Sequence, residues 1–132
     1  MKQTEWDQIM KDLHNTSNPS VAAKAFIALK QKADRHDLPK LYQMIKSADF
    51  YEREAAAYPL GRLEKEKALP ILLETIIQAV KEDEDTDSIE IAIADVISAN
   101  PDQAKKELSK LAKSSNPDLK KTAQQWLEAE VN

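Results

Sequence analysis

The stretch 81–90 reads KEDEDTDSIE and places six carboxylates and one lysine in ten residues. Carboxylates at this density can ligate a hard cation, dock a basic partner, or sit in water at a helix start. Asp83, Asp85 and Asp87 have the alternating spacing of a calcium loop. Such a loop also needs glycine at its sixth position and a bidentate acid at its twelfth. Ser88 and Ala94 stand there instead, so the calcium signal is weak. Residues 81–100 hold seven acids (Glu82, Asp83, Glu84, Asp85, Asp87, Glu90, Asp95) and one base, Lys81. The segment carries −6, and the other 112 residues sum to +2, within a net charge of −4. The acidity is one local feature on a nearly neutral body. It costs self-repulsion unless it is solvated or matched by a cation. Where the run meets a helix N-terminus, the dipole favours Asp85, Asp87 and Glu90.

Other chemistry is sparse. The histidines, His14 and His36, have no second histidine at i+3 or i+4, so no helical zinc pair forms. There is no cysteine, which removes disulfides and thiolate metal sites. A single glycine, Gly61, rules out a glycine-rich phosphate loop. No catalytic residue, cofactor or metal is expected. The start, MKQTEWDQIM, lacks an apolar signal region, and no apolar run approaches a membrane span. The expectation is a non-enzymatic cytoplasmic protein that contacts no membrane.

Helices must position whatever does the work. Asn-Pro occurs at Asn18-Pro19, Asn100-Pro101 and Asn116-Pro117, each a capping residue followed by a first-turn proline. Asp49 with Glu52 resembles a capping box, Thr4 with Asp7 more loosely, and Asp37 is a plausible cap. Apolar residues then recur at helical spacing, as in Trp6, Ile9, Met10 and Leu13. The pattern predicts seven or eight helices: about 4–15, 19–33, 38–47, 50–64, 67–81, 88–99, 101–114 and 117–130. Pro59, inside the fourth, is expected to kink it.

The helices repeat as pairs. A shift of 31 carries Asn18 to Asp49, Ala25 to Ala56 and Leu29 to Leu60. A shift of 36 carries Asp49 to Asp85 and Ala56 to Ala92, and another 31 carries Asp85 to Asn116 and Ala92 to Ala123. The acidic run is thus a five-residue insertion between repeats, and insertions in such arrays map to loops. The reading is an all-α fold: a short right-handed α-solenoid of stacked antiparallel helix pairs. It forms a single domain over 1–132, with an N-terminal helix at 4–15, repeats at about 17–47, 48–80 and 85–114, and a capping helix at 117–130. One pair cannot bury its own apolar face, so stacking must supply the core.

Asp49, Arg53, Ala56, Leu60, Gly61, Ala68, Leu69, Pro70 and Leu72 carry a family resemblance. The segment ADFYEREAAAYPLGRLEKEKALPILLETI (48–76) resembles a HEAT-like repeat of the short bacterial type. The first and third repeats keep the alanine and the apolar positions but lack the Arg and the Leu-Gly.

The second helices of the pairs are expected to line an inner face. Gln43, Glu74 and Lys110 fall in one column of it, and Ile71 and Ile77 stand where neighbouring repeats carry charge. Ile71 and Ile77 are either an exposed anchor or simply the more buried residues of a middle helix, and burial is favoured. The expected function is non-catalytic protein binding, as an adaptor or regulator. The candidate contacts are Gln43, Ile71, Glu74, Ile77 and Lys110 with Glu82, Asp83, Glu84, Asp85 and Asp87. The partner would be another protein, a basic one if the acidic run takes part. Alternatives are an immunity or antitoxin-type inhibitor of a basic toxin, and a DNA-backbone reader using lysines 105, 106, 110, 113, 120 and 121. The chain itself is expected to be a monomer or a weak homo-oligomer.

Overall fold

The computed structural model describes residues 1–131. Eight α-helices are present among them: α1 Gln3–Leu13, α2 Pro19–Lys32, α3 Leu38–Ile45, α4 Phe50–Glu64, α5 Leu69–Lys81, α6 Asp87–Ala99, α7 Pro101–Leu111 and α8 Pro117–Val131. Two 3-10 turns, Arg35–Asp37 and Lys65–Ala68, lead into α3 and α5. The fold is an all-α solenoid, as the helical periodicity predicts.

The repeat register is visible in the caps. Asn18, Asp49, Asp85 and Asn116 occupy one repeat position, and each accepts from an amide at the start of the helix that follows. Asn18 Oδ1 accepts from Val21 N (3.3 Å), Asp49 Oδ1 from Tyr51 N (2.8 Å), Asp85 Oδ1 from Asp87 N (2.9 Å) and Asn116 Oδ1 from Asp118 N (3.0 Å). Each satisfies an amide that the first turn leaves without a partner.

The other expected caps differ. Thr4 lies inside α1, where Gln3 Nε2 donates to Asp7 Oδ1. Asn100 makes no side-chain cap on α7. Asp37 does not cap α3 with its side chain; it is buried in the 3-10 turn and accepts from Asp34 N. The Asp49–Glu52 box is relayed through Ser47, whose hydroxyl accepts from Asp49 N (3.0 Å) and donates to Glu52 Oε2 (2.7 Å). α4 continues as one helix through the buried Pro59.

The aligned alanines Ala25, Ala56, Ala92 and Ala123 are all buried, as expected of small residues where helices approach closely. α4 packs against α2, α3 and α6, and α8 packs mainly on α7 and α5. One contiguous apolar core runs from Trp6 in α1 to Ala123 in α8. α4 and α6 approach closely at Gly61 of α4. A Cβ built there would lie 2.8 Å from Val96 Cγ2 of α6, nearer than real side chains come.

Polar contacts stitch successive turns together along both edges of the stack. On one edge His14 Nε2 meets Asp49 Oδ2 at 2.9 Å, Arg53 Nη2 donates to Glu82 Oε2 at 2.5 Å, and Lys81 Nζ meets Asp118 Oδ2 at 2.8 Å. On the other edge Arg62 Nη2 donates to Ala33 O at 2.6 Å, and Arg35 Nη1 to Leu63 O at 3.1 Å. The acidic run lies on the first edge.

Candidate functional site

The acidic run is shorter as a loop than the sequence implies. Lys81 ends α5 and Asp87 begins α6, so the connection is 82–86 alone. Asp83 turns the chain with φ 57°, a left-handed conformation that aspartate tolerates better than most residues. Glu84 N donates to Ala79 O and closes the turn. Asp87 and Glu90 fall in the first turn of α6, where the dipole favours them.

Its carboxylates divide into two sets. Glu82, itself exposed, pairs with Arg53, which is 1% exposed. Arg53 Nη1 also donates to Ser47 O at 2.8 Å, so the guanidinium ties the α5–α6 turn to the α3–α4 turn. Asp85 accepts from Asp87 N at the start of α6. Asp83, Glu84, Asp85 and Asp87 are nevertheless exposed. Among the described residues, no lysine, arginine or histidine side chain pairs with any of these four within 4.0 Å. Half-buried Glu54 faces the same loop. Burial raises its carboxyl above the ordinary glutamate value, and Asp85 and then Glu84 raise it further; a hydrogen bond from Ser88 opposes them.

A cleft of about 350 Å³ opens beside the loop, lined by Phe50, Tyr51, Arg53, Glu82 and Glu84 among others. Tyr51 is 59% exposed there, an aromatic presented to solvent at the rim of an acidic cleft. Sequence reasoning missed Tyr51. Its position, two residues past the Asp49 cap, was the available signal.

The inner-face candidates are placed less favourably. Gln43 on α3, Glu74 on α5 and Lys110 on α7 are exposed. Lys110 pairs with Glu107 at 3.8 Å. Ile71 and Ile77 are half-buried and pack against the core. Ile77 also borders a groove of about 530 Å³ with Val80 and Trp126, beneath α8. The lysines of α7 do not form an unbroken basic patch. Lys105, Lys106 and Lys110 share their surface with Glu66, Asp102 and Glu107.

The two histidines differ in their surroundings. His36 is exposed beside Asp34. His14, without a histidine partner, instead meets two carboxylates from a distant segment. Its Nε2 lies 2.9 Å from Asp49 Oδ2 and 3.9 Å from Glu52 Oε2. Helical spacing could not reveal this cluster because its members come from the end of α1, the α3–α4 turn and α4.

None of the helices described is long and apolar enough to cross a membrane. No curated protein and no solved structure matches the chain. The family model for HEAT repeats matches residues 7–78, from α1 into α5. That segment begins ten residues earlier than the repeat pattern alone suggests and stops just before the acidic turn. HEAT repeats are in general protein-interaction modules and are typically non-enzymatic. With more than half of its length matched and its helices stacked in register, the chain belongs to the HEAT-repeat family.

Proposed function

We propose that the chain is a non-catalytic adaptor or regulator that holds a basic protein segment against its acidic edge. The observation that carries this reading is the set of exposed carboxylates Asp83, Glu84, Asp85 and Asp87, which no cation of the described chain neutralises. Such a patch retains an electrostatic cost that a basic partner would relieve, and it would speed and orient the encounter. Tyr51, at the rim of the adjoining cleft, supplies the kind of aromatic on which interface energy concentrates. Glu82 serves the fold through Arg53 and also lines the cleft beside Tyr51. Gln43, Glu74 and Lys110 could extend the contact along the second helices, with Ile71 and Ile77 supporting it from below. An inhibitor of a basic toxin would use the same carboxylates and is the narrower form of this proposal.

The test is capture from a lysate of the source organism with the tagged chain, beside a triple variant, Asp83→Asn, Glu84→Gln and Asp87→Asn. This variant leaves the Arg53 ion pair and the Asp85 cap intact. A basic protein held by the wild type and lost from both the triple variant and Tyr51→Ala is the expected result. Identical captures by all three would sink the acidic-edge reading. Nucleic acid retained equally by wild type and triple variant would point to the lysines of α7 and α8 instead.

A further inference from the structure

The cluster at the junction of α1 and α4 has a hydrogen-bonding pattern that requires a positive charge. His14 Nδ1 lies 2.7 Å from Met10 O, and a carbonyl only accepts, so Nδ1 carries its hydrogen. In the neutral ring Nε2 then bears a lone pair. That lone pair faces Asp49 Oδ2 at 2.9 Å and Glu52 Oε2 at 3.9 Å, and ionised carboxylates only accept as well. A proton or a metal cation must stand between them.

The surroundings suit a metal. A histidine that ligates through Nε2 commonly donates its other ring N–H to a backbone carbonyl, which fixes tautomer and orientation. The three ligand atoms lie within 4.8 Å of one another. Zinc bonds to nitrogen and oxygen of about 2.0–2.2 Å at tetrahedral angles separate ligand atoms by roughly 3.3–3.6 Å. The observed 2.9 and 3.9 Å bracket that range, so small side-chain shifts would seat an ion. Each carboxylate is also held from outside the cluster. Asp49 Oδ1 is engaged by Tyr51 N, which leaves Oδ2 for an ion; the Ser47 hydroxyl donates to Glu52 Oε2, the oxygen that faces His14, and the second lone pair of that oxygen remains for an ion. Two carboxylates and one neutral imidazole balance a divalent charge. The side chains are 40%, 33% and 23% exposed for His14, Asp49 and Glu52, so water can complete the coordination.

We propose that His14, Asp49 and Glu52 bind one divalent ion of the zinc class, which clamps the end of α1 onto the start of α4. The imidazole ligand favours zinc over magnesium or calcium. The site lies on the same edge as the acidic turn, and Asp49 also lines the cleft beside Tyr51, but none of the three ligands is among the carboxylates proposed to meet the partner.

The test is calorimetric titration of the metal-stripped full chain with zinc chloride, with calcium chloride for comparison. One saturable zinc site per chain is expected, at least tenfold tighter than calcium. His14→Ala and Glu52→Gln should each weaken it about tenfold or more, while His36→Ala leaves it unchanged. Circular dichroism of each variant checks that it is folded. Asp49→Asn, which keeps the capping oxygen, gives a third arm should His14→Ala not fold. Cobalt-loaded wild type should show visible absorption bands that are absent from Glu52→Gln. No saturable zinc binding by the wild type would mean that a proton alone fills the site, and would overturn the proposal. Binding that survives all three ligand substitutions would overturn it equally, since the ion would then sit on other carboxylates.

Discussion

Arg53 and Glu82 join two turns that are 29 residues apart in sequence, through a hydrogen bond of 2.5 Å in which the arginine is almost wholly buried. The first acid of the acidic turn is therefore part of the fold. Removing one partner of a buried pair costs about 3–5 kcal/mol, because it strands a charge. Here Glu82 is 44% exposed, so water can reach the vacated side, and about 1–3 kcal/mol is expected for Glu82→Ala. Arg53 Nε already lacks a partner, which leaves the guanidinium little to fall back on. Urea unfolding measures the loss. Asp83→Asn, at the exposed neighbouring position, should change stability by less than about 0.5 kcal/mol.

Gly61 permits a close contact between α4 and α6. In a helix interior alanine is favoured over glycine by about 1 kcal/mol. Gly61→Ala should nevertheless destabilise the chain, because its Cβ would come within 2.8 Å of the buried Val96 Cγ2. Overpacking of this kind costs about 1–3 kcal/mol. Shortening Val96 to alanine removes the clash. In the Val96→Ala background, Gly61→Ala should become neutral or stabilising. A double-mutant cycle by thermal or urea unfolding reads the coupling, and additive effects would refute the contact.

Lys65 ends α4 with φ 57° and ψ −134°, a backbone conformation that a side chain resists. Its amide still donates to Gly61 O, so the strained turn is also a functioning helix stop. Lys65→Gly should raise stability by up to about 1 kcal/mol, since relief of strain outweighs the greater freedom of glycine in the unfolded chain. A lower melting temperature for the variant would show that the lysine side chain contributes more than its backbone costs.

The capping residues made the repeat legible. Asn18, Asp49, Asp85 and Asn116 differ in their surroundings but share one local task, and local tasks leave local signals. The buried alanines were legible for the same reason, since close helix approach demands a small residue at one register. The ends of α1, α3 and α7 were not. Polar residues such as Lys46 and Lys113 follow them without a proline or glycine to mark the stop, and the predicted helices overran by two or three residues. The pairing of Glu82 with Arg53 and the meeting of His14 with Asp49 and Glu52 depend on how repeats stack. No spacing within one helix encodes a contact across 29 or 35 residues. The acidic run therefore looked uniform in sequence, although its members divide between fold and surface.

Glu54 gives the loop a measurable pH signature. Burial, then Asp85 and Glu84, raise its carboxyl above the ordinary value, whereas the Ser88 hydrogen bond lowers it. A carboxylate raised on folding binds its proton more tightly in the native state. Its ionised form therefore weakens the fold. That penalty is complete above the raised native value, shrinks as pH falls through it, and is gone below the unfolded value of about 4.5. Glu54→Gln removes the charge and keeps the hydrogen-bonding shape. The variant should melt at a higher temperature than wild type at pH 7, with the difference closing toward pH 4. Asp85→Asn and Glu84→Gln should each return part of the same gain at pH 7, because each removes one of the charges that faces Glu54. A basic peptide seated on the loop would do so as well, and would pull the Glu54 carboxyl resonance back toward its ordinary titration range. Carbon-detected titration of that carboxyl, with and without a lysine-rich peptide, reads both effects at one atom. A titration that matches an exposed glutamate in the free chain would refute the assigned burial and the repulsion from the loop.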